Sequence, residues 1–400
     1  MVPAAQILQA MKGMKTLRSG RNRRKWIYVL LLMGLLGLSG CGSPSSASVE
    51  MSSQTELVKT GSMELQYAEN FAVDYYEDGY KMLTTLPDSK RYLLVPEGQP
   101  VPKGLDEDVS ILQEPLQNIY LVASGVMDMF ASVDAVDQIR FSGQKQENWY
   151  IQTAKDAMAA GDMIYAGKYS KPDYELLVSE GCDLAIENRM ITHSPEVVEM
   201  LQSFDIPVMI EYSSYEQHPL GKVEWVKFFG ALTGKEAEAE EAFAEQTEIL
   251  EKVESGEKTG KTIAFFYVTS NGLIQVRQST DYIPKLIELA GGRYIFEDLE
   301  DSGSGRSTLN MQVEDFYAGA KDADILIYNS SIDGGVTTLD ELIGKCNILK
   351  DFKAVQEGQV YCTTNDMYQQ SMAIGYLLQD MHTVLTDDDT AKLRYLFLLQ

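Results

Sequence analysis

The chain has 400 residues and a formal net charge of −25 at pH 7, and 44% of its residues are hydrophobic. A chain this acidic is repelled by the phosphate backbone, so nucleic acid is excluded as an expected partner. The hydrophobic fraction is typical of a soluble globular protein, and the length exceeds the roughly 250–300 residues at which a single core stops growing, so two lobes are predicted.

The N-terminal residues have the pattern of an export signal. Lysines and arginines from Lys12 to Lys25 precede an apolar run from Trp26 to Leu38. A helix that spans a bilayer needs about 20 apolar residues, and this run is shorter. Residues 1–40 are therefore predicted to be a signal peptide, with a single uncleaved anchor helix as the alternative.

The apolar run ends in Leu38-Ser39-Gly40-Cys41, which resembles a bacterial lipobox. A lipobox implies that Cys41 is acylated by diacylglycerol and becomes the first residue of the mature chain. The expected location is then the outer face of the cytoplasmic membrane, at the cell surface or in a periplasm. Residues 41–61 are predicted to be a flexible tether, because the small polar residues after Cys41 provide little apolar surface.

Cysteine and histidine counts limit the chemistry of the mature chain. The cysteines other than Cys41 are Cys182, Cys346 and Cys362. An odd number of cysteines gives no disulfide framework, although one disulfide could still form. Only three histidines are present, so clusters of histidines that grip bare zinc or manganese ions are not available. No metal held directly by the protein is expected.

Residues 62–233 are predicted to form a first lobe. Alternating apolar and polar residues over residues 62–86, with Glu77-Asp78-Gly79 as a turn signal, predict a β-hairpin. Beyond it, short apolar runs alternate with helical patterns, which favours a largely parallel sheet covered by helices. The predicted strands are residues 92–95, 119–123, 183–187 and 207–212, and the predicted helices are residues 126–136, 173–180 and 195–204.

Residues 234–255 are predicted to be one long helix between two lobes. Over residues 234–254, apolar side chains recur every three or four positions, with glutamates on the opposite face. A second strand and helix series follows over residues 262–268, 283–289, 311–318, 325–328, 360–363 and 368–385. The predicted fold class is α/β, with two α/β lobes of mainly parallel sheets joined by one helix and a second lobe over residues 256–400.

Several local phrases resemble those of one protein family. Lys171-Pro-Asp-Tyr-Glu-Leu-Leu followed by Cys182-Asp-Leu-Ala-Ile is similar to the family phrase LE.I..LKPDLVI, although Gly181-Cys182 replaces the usual Lys-Pro. Leu289-Ala-Gly-Gly-Arg-Tyr-Ile-Phe resembles LLGGENVF, and Ala354-Val-Gln-Glu-Gly-Gln-Val-Tyr resembles AVKNGKVY. With the lipobox and the two lobes, these phrases resemble the substrate-binding lipoproteins of ABC importers for iron-siderophores, haem and vitamin B12.

This resemblance implies a ligand cleft between the lobes, a long rigid linking helix that permits only a small closing motion, and no enzymatic activity. It also implies partners: an ABC permease with its ATPase subunits, and a small-molecule metal chelate as ligand. A monomer without a cofactor is expected. The identity of the ligand stays open among siderophore, haem, corrinoid and other metallophores.

Ligand contacts are expected on the loops that follow the strands and face the cleft, where open α/β sheets bind ligands. Arg189 and Arg306 suit carboxylates of a haem, a siderophore or another anion, and one axial haem ligand could come from Met127, Tyr215 or His218. The alternative roles are core packing and, for charged side chains, a solvated surface. The predicted ligand-binding residues are Met127, Trp149, Tyr150, Arg189, His193, Tyr212, Tyr215 and His218 in the first lobe and Tyr267, Asn271, Arg277, Arg306, Asp366 and Tyr368 in the second.

Two glutamates are expected to dock the permease. The family resemblance implies one exposed acidic residue on each lobe that faces arginines of the permease, and alignment of the phrases places Glu175 and Glu314 at these positions. Each glutamate is near the start of a predicted helix, where the helix dipole favours a carboxylate, and that is the alternative explanation for both.

Two other classes of function are alternatives to an importer subunit. A surface enzyme is disfavoured because the chain lacks the Gly-x-Ser-x-Gly elbow, the His-Glu-x-x-His helix and the phosphate-binding Gly-x-x-x-x-Gly-Lys loop. A ligand-binding surface module for sensing or relay, without a permease of its own, is the remaining alternative.

Overall fold

The computed structural model describes residues 57–299, 307–330, 335–387 and 390–400. The predicted signal peptide, Cys41, most of the predicted tether and Arg306 lie outside the described residues. Within the described ranges, no helix is both long enough and apolar enough to cross a membrane.

A five-stranded N-terminal sheet precedes the first lobe. Its strands are β1 (Lys59–Ser62), β2 (Phe71–Tyr76), β3 (Lys81–Thr85), β4 (Lys90–Val95) and β5 (Val109–Gln113). Strands β1 to β4 pair in antiparallel fashion and β4 pairs with β5 in parallel, so the predicted hairpin is confirmed as β2 and β3. The prediction that residues 92–95 join the parallel series was wrong. Leu93 and Leu94 face opposite sides of this sheet and both are buried, which produces the apolar run typical of a parallel strand.

The first lobe has a parallel sheet in the order β12-β11-β6-β7-β8. Its strands are β6 (Ile119–Leu121), β7 (Ile139–Ser142), β8 (Ile164–Tyr165), β11 (Leu184–Asn188) and β12 (Val208–Glu211), and the small pair β9 (Gly167–Lys168) and β10 (Lys171–Pro172) stands apart. The helices up to the second lobe are α1 (Val126–Ser132), α2 (Gln152–Ala160), α3 (Tyr174–Glu180), α4 (Pro195–Ser203), α5 (Pro219–Thr233) and α6 (Glu236–Glu254). Strands β7 and β8 and helix α2 were not predicted.

The second lobe has a seven-stranded mixed sheet in the order β16-β14-β13-β17-β18-β19, with β15 paired to β13. Strands β13, β17 and β18 are parallel, whereas β14, β16 and β19 run antiparallel to their neighbours. The strands are β13 (Thr262–Val268), β14 (Ile274–Arg277), β15 (Arg293–Tyr294), β16 (Thr308–Met311), β17 (Ile325–Tyr328), β18 (Val360–Thr363) and β19 (Leu396–Leu398). The helices are α7 (Tyr282–Leu289), α8 (Val313–Ala320), α9 (Leu339–Lys345), α10 (Lys353–Gln356) and α11 (Ile374–Thr386). The helix predicted over residues 368–385 begins only at Ile374, so Tyr368 lies on the loop after β18.

Helix α6 links the two lobes and packs on both of them. Its buried face includes Phe243 and Leu250 and contacts α5 in the first lobe and α11 in the second, while most of its glutamates face solvent. The side-chain oxygen of Gln246 accepts a hydrogen bond of 3.0 Å from the backbone N–H of Gly375, at the start of α11. A helix with one apolar stripe is stabilised by burying that stripe, so α6 is held by both lobes. The predicted architecture, two α/β lobes joined by one long helix, is confirmed.

Candidate functional site

The carboxyl ends of the first-lobe strands share one edge of the sheet, and large side chains are exposed along it. Tyr150 follows β7, Met190 follows β11 and Tyr215 follows β12, and they are 46%, 49% and 39% exposed. Large apolar side chains that are exposed together mark binding surfaces more often than single ones do. These three side chains give the first lobe an apolar rim at the edge where open α/β sheets bind ligands.

Arg189 and two tyrosines form a stacked group on this rim. The guanidinium of Arg189 lies 4.6 Å from the centroid of the Tyr215 ring, and the ring of Tyr212 packs edge-on against Tyr215 at 6.4 Å. Burial, assisted by the nearby Asp88 carboxylate, raises the pKa of Tyr212 to about 12, so its hydroxyl stays protonated at neutral pH. The group combines a cation with aromatic faces, a combination that suits an anionic ligand with a flat organic part.

The second lobe contributes a buried polar group around Arg277, the last residue of β14. The guanidinium donates to the Tyr368 hydroxyl and lies 3.4 Å from the carboxylate of Asp281. Asn329, just after β17, also donates to the Tyr368 hydroxyl, at 2.7 Å. A tyrosine hydroxyl has two acceptor positions and one proton, so with both positions occupied the Tyr368 proton is left to donate elsewhere.

Lys222, on α5 of the first lobe, places a buried ammonium group near the Arg277 group. Its ammonium lies 4.6 Å from the centroid of the Tyr282 ring, and its electrostatic neighbours include Glu211 of the first lobe and Asp281 of the second. Burial lowers the pKa of Lys222 and raises the pKa values of Glu211 and Asp281. A cavity of about 10 Å³ beside Lys222 has room for one water molecule. We call the buried group of Arg277, Tyr368 and Lys222 the polar floor.

Three buried polar atoms near this floor lack hydrogen-bond partners within the part of the chain that the structure describes. They are Thr364 Oγ1, Asp366 Oδ1 and Ser371 Oγ, all on the loop between β18 and α11. The other carboxylate oxygen of Asp366 accepts a hydrogen bond of 2.6 Å from Gln370. Buried polar groups are normally satisfied, so these atoms point to water or a bound ligand as their partner.

The two lobes also touch directly along this loop. The side-chain amide of Gln369 accepts from the backbone N–H of Tyr150 and donates to the carbonyl of Asn148, both at 2.8 Å. The backbone N–H of Met372 donates to the Asp128 carboxylate at 2.8 Å, and burial raises the pKa of Asp128 to about 6. Gly125 permits this approach, because a Cβ there would lie 2.9 Å from the Ser371 hydroxyl oxygen.

Three of the predicted ligand-binding residues are placed away from the cleft surface. Met127 is fully buried in the core, and Trp149 is buried with its indole N–H donating to the Ser142 hydroxyl at 3.0 Å. His218 caps α5 and stacks on Tyr67 at 4.4 Å, and its Nδ1 accepts from the Leu220 N–H. Met127 and Trp149 are therefore core residues, which corrects their assignment as cleft residues.

The other predicted residues have more open positions. His193 is exposed at the end of a short 3-10 turn, and Asn271 is exposed in the turn between β13 and β14, where its side-chain oxygen accepts from Thr269. Tyr267 is half-buried, with its ring 6.2 Å from that of Tyr328. The structure does not bring these three residues into contact with the Arg277 group.

Sequence reasoning missed several members of the site. Four of them were not predicted as site residues: Lys222, Asp281, Asn329 and Gln369. Each lies near a strand end or a helix start, the kind of position where ligand contacts were expected. The available signal was Lys222, one of three charged residues in the apolar segment that forms α5. A buried lysine in such a segment needs an acidic or aromatic neighbour, and sequence alone does not identify that neighbour.

No group of three or more histidine, cysteine, aspartate or glutamate side chains in the described ranges is arranged to hold a metal ion. Cys182, Cys346 and Cys362 are free thiols.

Comparison with known proteins gives the class to which this fold and site belong. The sequence profile of the periplasmic binding protein family matches residues 122–367, and the chain belongs to this family. It is a solute-binding protein of the extracytoplasmic kind, and not an enzyme.

Several individual proteins are similar to this chain. An uncharacterized lipoprotein of Methanocaldococcus jannaschii is 24% identical over 396 residues, which cover 90% of this chain and 92% of the relative. A possible iron-binding periplasmic solute-binding protein of Staphylococcus epidermidis has a TM-score of 0.53 and 17% identity, with coverage of 67% of this chain and 98% of that one. The periplasmic heme binding protein HutB of Vibrio cholerae has a TM-score of 0.53 and 14% identity, with coverage of 67% and 98%. At such identities the two structures establish the fold alone.

Proposed function

We propose that this protein captures a metal chelate in the cleft between its lobes and delivers it to a membrane permease with its ATPase. The chelate is an iron-siderophore complex, haem or a corrinoid. The observation that carries the proposal is the pairing of an exposed apolar rim on one lobe with a buried polar floor that contains Arg277 and Tyr368. Aromatic and methionine side chains suit the organic periphery of a chelate, and the floor suits its oxygen atoms or carboxylates. The iron and heme named for the two similar structures support the same ligand class.

We propose further that Cys41 carries the lipid anchor and that Glu175 and Glu314 dock the permease. Glu175 lies in the first turn of α3 and Glu314 in the first turn of α8, and both side chains are exposed, one on each lobe. Their exposure agrees with a role in contacts outside the chain. The protein would act as a monomer tethered to the outer face of the membrane.

Direct ligand titration tests the proposed function. The soluble chain without residues 1–41 would be titrated with hemin, a ferric trihydroxamate, a ferric tricatecholate and cyanocobalamin, and binding would be followed by absorbance and tryptophan fluorescence. We expect one of these compounds to bind at a 1:1 ratio with a micromolar or lower Kd. Binding of none of them, or tighter binding of bare zinc or ferric ions, would contradict the proposal.

A further inference from the structure

The turn between β3 and β4 of the N-terminal sheet reaches the rim of the first lobe. At the start of β12, the Val208 carbonyl accepts a hydrogen bond of 2.8 Å from the hydroxyl of Tyr92 on β4. Just after the end of β12, Tyr212 interacts with the Asp88 carboxylate of the turn. The segment from Asp88 to Tyr92 therefore runs antiparallel to β12. Residues 86–89 lie at the carboxyl edge of the first-lobe sheet.

A second set of contacts leads to the same position. The N–H of Leu86 donates to the Asn70 carbonyl at 2.9 Å, and the N–H of Asn70 donates to the Glu216 carboxylate at 3.0 Å. Glu216 is adjacent to Tyr215, the most exposed aromatic residue after β12. Leu86 is therefore linked to the residues beside Tyr215 by two consecutive hydrogen bonds.

The turn itself is firmly held. The Asp88 carboxylate accepts from the Thr85 hydroxyl at 2.6 Å and from the Lys90 N–H at 3.3 Å, and Thr85 is fully buried. Leu86 is nevertheless 46% exposed. An apolar side chain on a rigid support gives contact area to a ligand at little cost in conformational entropy.

We infer that this turn is an additional wall of the ligand site, in which Leu86 contacts the apolar periphery of the bound chelate beside Tyr215. This inference rests on the proposed function. The N-terminal sheet lies outside residues 122–367, which the family profile matches. Leu86 then favours ligands with an aromatic or aliphatic periphery over ligands with a charged one.

The test compares Leu86→Ala with Val101→Ala, a matched control. Val101 is 48% exposed and lies in the same N-terminal region, between β4 and β5. The probe is whichever of hemin, ferric trihydroxamate, ferric tricatecholate and cyanocobalamin the wild-type chain binds most tightly. We expect Leu86→Ala to raise its Kd about 5- to 10-fold, the low end of the discrimination that an apolar contact provides, and Val101→Ala to leave it unchanged.

A chemical-protection measurement gives a second readout. Leu86→Cys and Val101→Cys would be labelled with a maleimide with and without the same probe, and the labelled peptides quantified by mass spectrometry. We expect the probe to protect residue 86 and not residue 101. If the wild-type chain binds none of the four compounds, the proposed function and this inference both fail. If it binds one, while both alanine variants match wild type and residue 86 is unprotected, only this inference fails.

Discussion

At the scale of single residues, Glu187 on β11 is a buried carboxyl group without a hydrogen-bond partner among the described residues. It is fully buried, and neither oxygen of its carboxyl group has a hydrogen-bond partner in the part of the chain described by the structure. Burial raises its pKa from the usual 4.5 to about 8, because an ionised carboxylate loses its hydration there. At neutral pH the folded protein therefore keeps this group protonated.

Glu187→Gln should change how stability depends on pH. In the wild type, the folded state keeps a proton that the unfolded state loses above pH 4.5, so stability is full below that pH and falls as the pH rises to about 8. Each pKa unit corresponds to about 1.4 kcal/mol, so we expect a loss of a few kcal/mol that the glutamine variant does not show. Urea unfolding at pH 5 and pH 8 measures it, with Glu175→Gln as an exposed control. Parallel pH profiles for wild type and Glu187→Gln would contradict this explanation.

Tyr368→Phe should weaken ligand binding. The substitution removes the acceptor for Arg277 and Asn329 and also the proton that we assign to the ligand. Loss of one such hydrogen bond amounts to about 1–3 kcal/mol, so we expect Kd for the bound chelate to rise about 10-fold. Tyr376→Phe is the control, since that hydroxyl donates to Glu245 on α6 at 3.1 Å. Equal Kd values for the two variants would exclude Tyr368 as a ligand contact.

Part of the site could be predicted from the sequence because strand ends can be located from apolar runs. Arg277 and Tyr368 were both predicted as ligand-binding residues, and the structure joins them by a hydrogen bond. Met127 and Trp149 were misplaced, since a residue just after a strand can turn either to the cleft or to the core. Which of these occurs depends on tertiary packing.

At the scale of elements, α5 holds the N-terminal sheet through a buried carboxylate. Glu224 is fully buried, and its oxygens accept hydrogen bonds of 2.8–3.1 Å from the backbone N–H groups of Gln66, Tyr67 and Ala68. A carboxylate offers only acceptors and so matches three converging donors. This contact fixes the segment that leads into β2.

Glu224→Gln should loosen this attachment. The N–H₂ of the new amide would face backbone N–H groups, so buried donors on both sides would lose their acceptor. The cost of such unsatisfied buried groups predicts a loss of about 2–4 kcal/mol in the free energy of unfolding. Hydrogen exchange should increase in β2 and β3 more than in β13. Glu248→Gln, on the exposed face of α6, is the control. A variant as stable as this control would show that the carboxylate is dispensable.

Elements with a long or strongly alternating pattern could be predicted, and short ones could not. Helix α6 and the hairpin of β2 and β3 follow from periodicity over many residues. Strands β14, β16 and β19 are three or four residues long and pair in antiparallel fashion at the sides of the second-lobe sheet. A pattern of that length does not distinguish a strand from a loop, and the pairing that creates the strand comes from distant parts of the chain.

At the scale of the whole molecule, the proposed docking to the permease uses one glutamate on each lobe. We expect Glu175→Arg combined with Glu314→Arg to abolish uptake by the importer while Kd for the ligand stays unchanged, since the permease arginines would then face like charges. Uptake by whole cells and titration of the purified variant measure the two effects. Glu248→Arg with Glu251→Arg, on the exposed face of α6, is the control pair. If the folded double variant supports normal uptake, the two glutamates only stabilise the starts of their helices.

Helix α5 is partly covered by the N-terminal sheet, so a shortened chain that lacks this sheet would expose it. Phe71 of the N-terminal sheet packs against Trp225 and Phe228 of α5, with ring centroids 4.9 and 5.3 Å apart. A chain shortened to begin at residue 117 would keep the whole region matched by the family profile and yet expose these rings to water. Such an exposed aromatic surface promotes aggregation. The region by which the family is recognised therefore leaves out the sheet that covers the aromatic face of α5.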